Sequence, residues 1–163
     1  MADRYYTTPG GRRRLVERIE RVRAEYQTVV DSNEEANEAG DSSVWHDNFA
    51  YEENQRQMHQ LARRVRDLES LLAEISVVKP KAEPQSVVLG SAVVVSENGG
   101  AERRYVIGGY EDGDPSVGRI SYTAPLARVL IGAEPGEVRE LHVDGGAREL
   151  EVVALERAEE GEV

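Results

Sequence analysis

At 163 residues, with 31% charged side chains, 39% hydrophobic ones and a formal net charge of -11, the chain has the makeup of one or two small soluble domains. The acidic balance argues against simple wrapping of duplex DNA, which draws on clustered Lys and Arg, and the absence of cysteine excludes disulfides and thiolate metal sites. No apolar run approaches the roughly 20 residues that span a bilayer, and the opening Met-Ala-Asp-Arg-Tyr-Tyr lacks the apolar segment of a secretory signal, so a cytoplasmic protein with no membrane partner is expected.

Thr8 can cap a helix and Pro9 suits its first position, where a missing N–H costs nothing. From there to about Glu38 the pattern predicts roughly 45 Å of helix at about 1.5 Å per residue. Within it Leu15, Ile19, Val22, Tyr26 and Val29 recur at alternating spacings of 4 and 3. Gly40 breaks the run. A second helix is predicted to start between Ser43 and Asn48 and to reach about Val77, with Met58, Leu61, Val65, Leu68, Leu72 and Ile75 in the same rhythm. Two seams of this kind zip together, and their matched length points to an antiparallel coiled-coil hairpin over residues 1–78.

Charge is distributed unevenly along that hairpin. Residues 27–60 hold eight carboxylates (Asp31, Glu34, Glu35, Glu38, Asp41, Asp47, Glu52, Glu53) against the single base Arg56, so the tip near 38–48 is acidic. Arg12, Arg13, Arg14, Arg18, Arg21 and Arg23 crowd the start of the first helix, and Arg63, Arg64 and Arg66 lie on the second. An antiparallel pairing makes these groups rough neighbours. They form either a solvated helix face or a patch for a nucleic-acid backbone or an acidic channel wall, with Arg12, Arg13, Arg14 and Arg18 as the nucleic-acid candidates.

Lys79-Pro80-Lys81-Ala82-Glu83-Pro84 ends the helical pattern, and residues 79–85 read as a linker. In 86–163 the period changes to 2, with strands predicted over Val87–Val95, Arg104–Ile107, Arg119–Tyr122, Val138–Val143 and Arg148–Leu155. Glu97-Asn98-Gly99-Gly100, Asp112-Gly113-Asp114-Pro115 and Asp144-Gly145-Gly146 separate them as turns, which implies a small twisted antiparallel sheet. Pro125 to Gly132 supplies one short covering helix in which Leu126, Leu130 and Ile131 are the expected buried side and Arg128 the exposed one. The class is therefore α+β.

Ile120-Ser121-Tyr122-Thr123-Ala124-Pro125-Leu126-Ala127-Arg128-Val129-Leu130-Ile131-Gly132 resembles the Ile-Ser-x-x-Ser-Pro-hydrophobic-Ala-x-x-Leu-hydrophobic-Gly signature of the GreA/GreB family of bacterial transcription elongation factors. Gly136-Glu137-Val138, Gly145-Gly146, Leu89-Gly90-Ser91-Ala92-Val93-Val94-Val95 and Thr7-Thr8-Pro9-Gly10 follow the family order, so the resemblance spans nearly the whole chain. It implies that the sheet domain is FKBP-like and docks on RNA polymerase, with Ser121, Pro125 and Arg128 as docking candidates. It further implies that the hairpin enters the polymerase secondary channel beside nascent RNA. There tip carboxylates help hold a Mg2+ shared with the polymerase active site, not bound tightly by the factor itself, and the polymerase cuts the extruded RNA 3′ end. The chain would be an accessory factor, a monomer and not an enzyme.

The family tip reads approximately Gly-Asp-x-x-Glu-Asn-Ala-Glu-Tyr. Gly40-Asp41 matches its start and Asp47-Asn48-Phe49-Ala50-Tyr51 resembles its end, with three additional residues between. Asp41 and Asp47 are thus the catalytic and metal candidates, although both residue types also cap helices and turns. The altered spacing leaves an alternative, a Gre-like channel regulator that inhibits or modulates polymerase without cleavage. Trp45 either packs under the tip or meets a partner, and His46 reads as a passive surface residue. His46, His59 and His142 are too scattered for a zinc site.

Overall fold

The computed structural model describes residues 4–38 and 47–163, with side-chain surroundings for 4–35 and 49–163. The chain divides into two compact units, Leu15–Ala73 and Met1–Arg14 with Glu74–Val163. The sequence pattern grouped residues 1–78 together; in the structure the root of the first helix, through Arg14, folds with the sheet.

Two strands and two long helices come first: β1 (Tyr6–Thr7), α1 (Pro9–Glu38), α2 (Asp47–Glu74) and β2 (Ser76–Val77). Leu15, Ile19, Val22 and Leu68 are buried, and Tyr26, Val29, Met58, Leu61, Val65 and Leu72 are half-buried, so the seams read from the sequence are the covered faces. Each fully buried aliphatic side chain stabilises the pair by about 1.5–3 kcal/mol. The helices run antiparallel, because Arg23 of α1 meets Glu69 of α2 whereas Asn33, farther along α1, meets Asn54, farther back on α2.

α2 stops at Glu74 rather than Val77 because the next residues find a backbone partner elsewhere. The Ser76 N–H donates to the Tyr5 carbonyl at 2.8 Å and the Val78 N–H to Thr7 at 2.7 Å, giving a parallel pairing of β1 with β2. Those bonds satisfy groups that a continuing helix would have bonded internally.

The main sheet has the order β5-β4-β3-β7-β6, from β3 (Ser91–Glu97), β4 (Glu102–Gly108), β5 (Arg119–Ser121), β6 (Val138–Val143) and β7 (Gly146–Arg157). β3 lies at the centre and is buried on both faces, which explains its unbroken run of Ala and Val. β7 alternates, with Leu150 and Val152 inward and Glu151 and Val153 outward, and a register shift at Val94/Val95 accommodates Val153 as an extra residue.

The sheet is mixed, which corrects the antiparallel expectation: β4 pairs with β5 in parallel, Ile107 opposite Ile120. Asp112-Gly113-Asp114-Pro115 does not close a hairpin. It leads into a 3-10 turn over Pro115–Val117, capped by the Asp114 carboxylate, and Gly118 at φ 67 returns the chain so that it re-enters alongside β4.

One face of the sheet carries the main core of Val87, Val93, Val95, Ile107, Leu150 and Val152, covered by Ala127 and Leu130 of α3 (Pro125–Leu130). Ile131 is 37% exposed, contrary to expectation, because α3 ends at Leu130 and the following turn sends Ala133, not Ile131, into the core. Ala92, Val106, Ala158 and Val163 form a second buried cluster. Among the described residues no helix is long and apolar enough to cross a membrane.

Candidate functional site

The first helical turns of α1 are fitted into the sheet unit by small side chains and polar contacts. The Thr8 hydroxyl accepts from the Gly11 N–H at 3.1 Å, the cap its sequence position predicts. A Cβ added to Gly11 would stand 2.2 Å from the Thr7 hydroxyl oxygen, so only glycine permits this approach.

One turn on, Arg14 makes a two-pronged pair with Asp112: Nε donates to Oδ1 at 2.7 Å and Nη2 to Oδ2 at 2.6 Å. The remaining guanidinium N–H groups reach the Gly161 and Glu162 carbonyls at 3.4 and 3.2 Å. Arg119 approaches the same carboxylate at 3.5 Å and donates to the Asp112 carbonyl at 2.9 Å. The Ser116 hydroxyl and N–H, donating to Asp114, hold that carboxyl below the usual range. Nearby, Arg104 pairs with Glu162 and Glu156; these hydrogen bonds raise the guanidinium pKa and depress that of Glu162.

This arrangement sorts the arginines that sequence grouped as nucleic-acid candidates. Arg14 is committed to Asp112, and Arg13 reaches the Glu160 carbonyl at 3.4 Å while staying exposed, as does Arg12. Arg18 belongs to the helix-pair unit. There it lines a cleft of about 530 Å³ with Arg21 and Arg64, together with Val22, Leu61, Glu25, Gln57 and Gln60. The rough adjacency of the two arginine groups expected from an antiparallel pairing is present for these three.

The docking candidates share one short segment. Ser121 ends β5, and its hydroxyl lies 2.8 Å from that of Thr123, closing the turn before α3. Pro125 occupies the first position of α3 and is exposed; Arg128, in its last turn, is exposed as well. An aromatic group beside this turn was not legible locally. Tyr6 packs edge-on against Tyr122 at 6.5 Å, and Tyr5 lies 4.2 Å from Tyr110. Partial burial pushes the Tyr110 phenol pKa up, with Tyr5 adding to the shift. Only the pairing of β1 with residues distant in sequence brings these rings together.

At the acidic end of the helix pair, Asp31, Glu34, Glu35, Glu52 and Glu53 are exposed, and Glu53 pairs with Arg56 at 3.2 Å. Asp41, Trp45 and His46 lie outside the described residues; Asp47 is the first residue of α2, and its side chain lies outside them too. Among the described residues no group of three or more His, Asp or Glu side chains could hold a metal ion.

Two family descriptions match in succession: "Transcription elongation factor, N-terminal" over residues 5–77 and "Transcription elongation factor, GreA/GreB, C-term" over residues 81–157. Transcription elongation factor GreA of Caulobacter sp. (strain K31) is 33% identical over 152 residues, covering 91% of this chain and 95% of the relative. GreA of Alkalilimnicola ehrlichii is 31% identical, covering 91% and 94%. Among solved structures, Thermus aquaticus Gfh1 aligns over 94% of this chain and 99% of its own at 22% identity, with a TM-score of 0.45. On the two matched segments and the extent of these relatives, the chain belongs to the GreA/GreB family of transcription elongation factors.

Proposed function

We propose that this protein binds RNA polymerase, inserts its helix pair into the secondary channel and stimulates cleavage of the 3′ RNA in backtracked complexes. The observation that carries the reading is the antiparallel pairing of α1 and α2, which flanks the segment between Glu38 and Asp47 with exposed carboxylates on both helices. In this reading the sheet unit docks through the Ser121–Arg128 segment, and Arg12, Arg13 and the Arg18-Arg21-Arg64 cleft face the RNA phosphates. The factor works as a cytoplasmic monomer.

Asp41 and Asp47 are the groups assigned to the chemistry. Carboxylate oxygens suit Mg2+, which takes few protein ligands and keeps several waters, so a weak site completed by the polymerase fits this donor set. When bound, Mg2+ supplies a polarised water and charge neutralisation at the scissile phosphate. The chain's own part is to hold two carboxylates in place and to accept hydrogen bonds from the attacking water.

The test is RNA cleavage in stalled, backtracked complexes with Asp41→Ala and Asp47→Ala. Each is expected to lower the cleavage rate by about 10²-fold or more, the scale of losing a group that organises transition-state charge, while polymerase binding persists. Wild-type cleavage by both variants would overturn the assignment. The three additional residues between the matched halves of the tip favour a second reading, a channel regulator without cleavage. That reading requires the wild-type factor to depress run-off synthesis and to leave backtracked RNA intact.

A further inference from the structure

We propose that Asn33 and Asn54 form a polar register pin that sets the axial alignment of α1 and α2 and so positions the tip carboxylates; the functional half of this statement rests on the cleavage reading above. Four residues beyond Val29, Asn33 occupies the next seam position of the first helix. Four residues before Met58, Asn54 occupies the corresponding seam position of the second. The Asn54 side-chain amide donates to the Asn33 side-chain carbonyl at 2.8 Å, and the Asn33 amide donates to the Met58 sulfur at 3.0 Å. Asn33 is only 7% exposed.

An aliphatic pair at these seam positions would serve stability better. A buried amide must give up water, and a thioether is a weak acceptor in return. What an Asn pair adds is discrimination: it bonds only when both residues face each other, and any slip takes the partner from the buried Asn33 amide and from the half-buried Asn54 amide. The next seam alignment available to these helices is three or four residues away, an axial shift of about 5 Å. Asp41 follows Asn33 by eight residues in the sequence, and Asp47, at the start of α2, precedes Asn54 by seven, about two turns of that helix. A 5 Å slip exceeds the roughly 3.5–4 Å that separates the ions of a two-metal centre, around which the carboxylate oxygens must be placed. Asn33 and Asn54 are therefore positioning residues.

The experiment compares Asn33→Leu, Asn54→Leu and the double variant. Because the chain contains no cysteine, Thr28→Cys and Gln60→Cys can carry spin labels on exposed positions of the two helices in each background. The pin predicts that each single variant melts below wild type, that the double variant melts at or above it, and that the double variant's inter-label distance splits or broadens by about 5 Å. Cleavage at saturating factor should fall at least 10-fold in the double variant with half-saturation unchanged. A single narrow distance in the double variant overturns the pin. If wild type itself stimulates no cleavage, the proposed function fails and the distance distribution alone decides the register claim.

Discussion

Asp112 is the carboxylate on which the root of α1 depends, and its removal has a calculable consequence. Its side chain is 8% exposed and serves two guanidiniums, Arg14 through two hydrogen bonds and Arg119 at 3.5 Å. Asp112→Ala leaves Arg119, whose side chain is 10% exposed, with the Asp112 carbonyl and a distant Asp114 oxygen at 3.7 Å. Breaking one side of a buried pair costs about 3–5 kcal/mol. The lower end applies here, because Arg14 retains 26% exposure and can turn toward water. At about 2–4 °C per kcal/mol for a chain of this size, and more if the sheet unit melts alone, Tm should fall by about 10 °C. Calorimetry provides the measurement, with Arg148→Ala as control. That substitution removes an exposed pair with Glu97 at 2.9 Å, worth at most about 1 kcal/mol. An Asp112→Ala shift no larger than the control's would refute the claim that this carboxylate holds the helix root.

Gly11→Ala should lower the denaturation midpoint by the equivalent of about 1–3 kcal/mol, despite alanine's better helix propensity, since the new Cβ would stand 2.2 Å from the Thr7 hydroxyl. Gly161→Ala, with nothing within 4 Å of its added Cβ, should be neutral, and equal midpoints for the two variants would contradict the packing argument. Glu162 supplies a pH dependence. Its folded pKa lies below the ordinary 4.5 chiefly through Arg104, so its stabilisation is present above about pH 4.5 and is lost as pH falls through the lower folded value. Glu162→Gln should therefore be less stable than wild type at neutral pH and converge with it on acidification. A stability difference that stays constant across a titration of unfolding midpoints would rule this out.

The helix pair was legible because apolar residues at spacings of 4 and 3 have no use for their common face without a partner, and the structure covers those faces. The strand positions were legible for the analogous reason, with β6 found over the predicted Val138–Val143, although the strand expected from Val87 begins only at Ser91, because the Val87 N–H bonds to the Ala133 carbonyl instead of a strand. What periodicity could not supply were partners distant in the chain. Ser76 and Val77 continue the helical pattern yet pair with Tyr6 and Thr7, and β5 lies parallel to β4 because the loop after Gly108 carries the chain around before it re-enters. Arg14 looked like any other member of a basic run. Its distinction is Asp112, a residue 98 positions away. Asn33 and Asn54 did carry a local signal, since both fall in phase with the seams, but their polarity ends the hydrophobic pattern that marks a seam.

That phase bears on the departure at the tip. The seam runs unbroken from Leu15 to Asn33 and from Asn54 to Leu72, and the polar pair closes it on both helices at matching positions. Three residues added within a zipped helix would turn every following side chain by about 300°, leaving it about 60° out of phase and exposing part of the seam. None of the described seam positions shows such a shift, and the surplus over the family pattern falls between Asp41 and Asp47. The additional residues thus fall outside the described seam positions. For this reason the substitutions at Asn33 and Asn54 and those at Asp41 and Asp47 test separate things: the first asks whether the acids are delivered in alignment, the second whether acids delivered in alignment do chemistry.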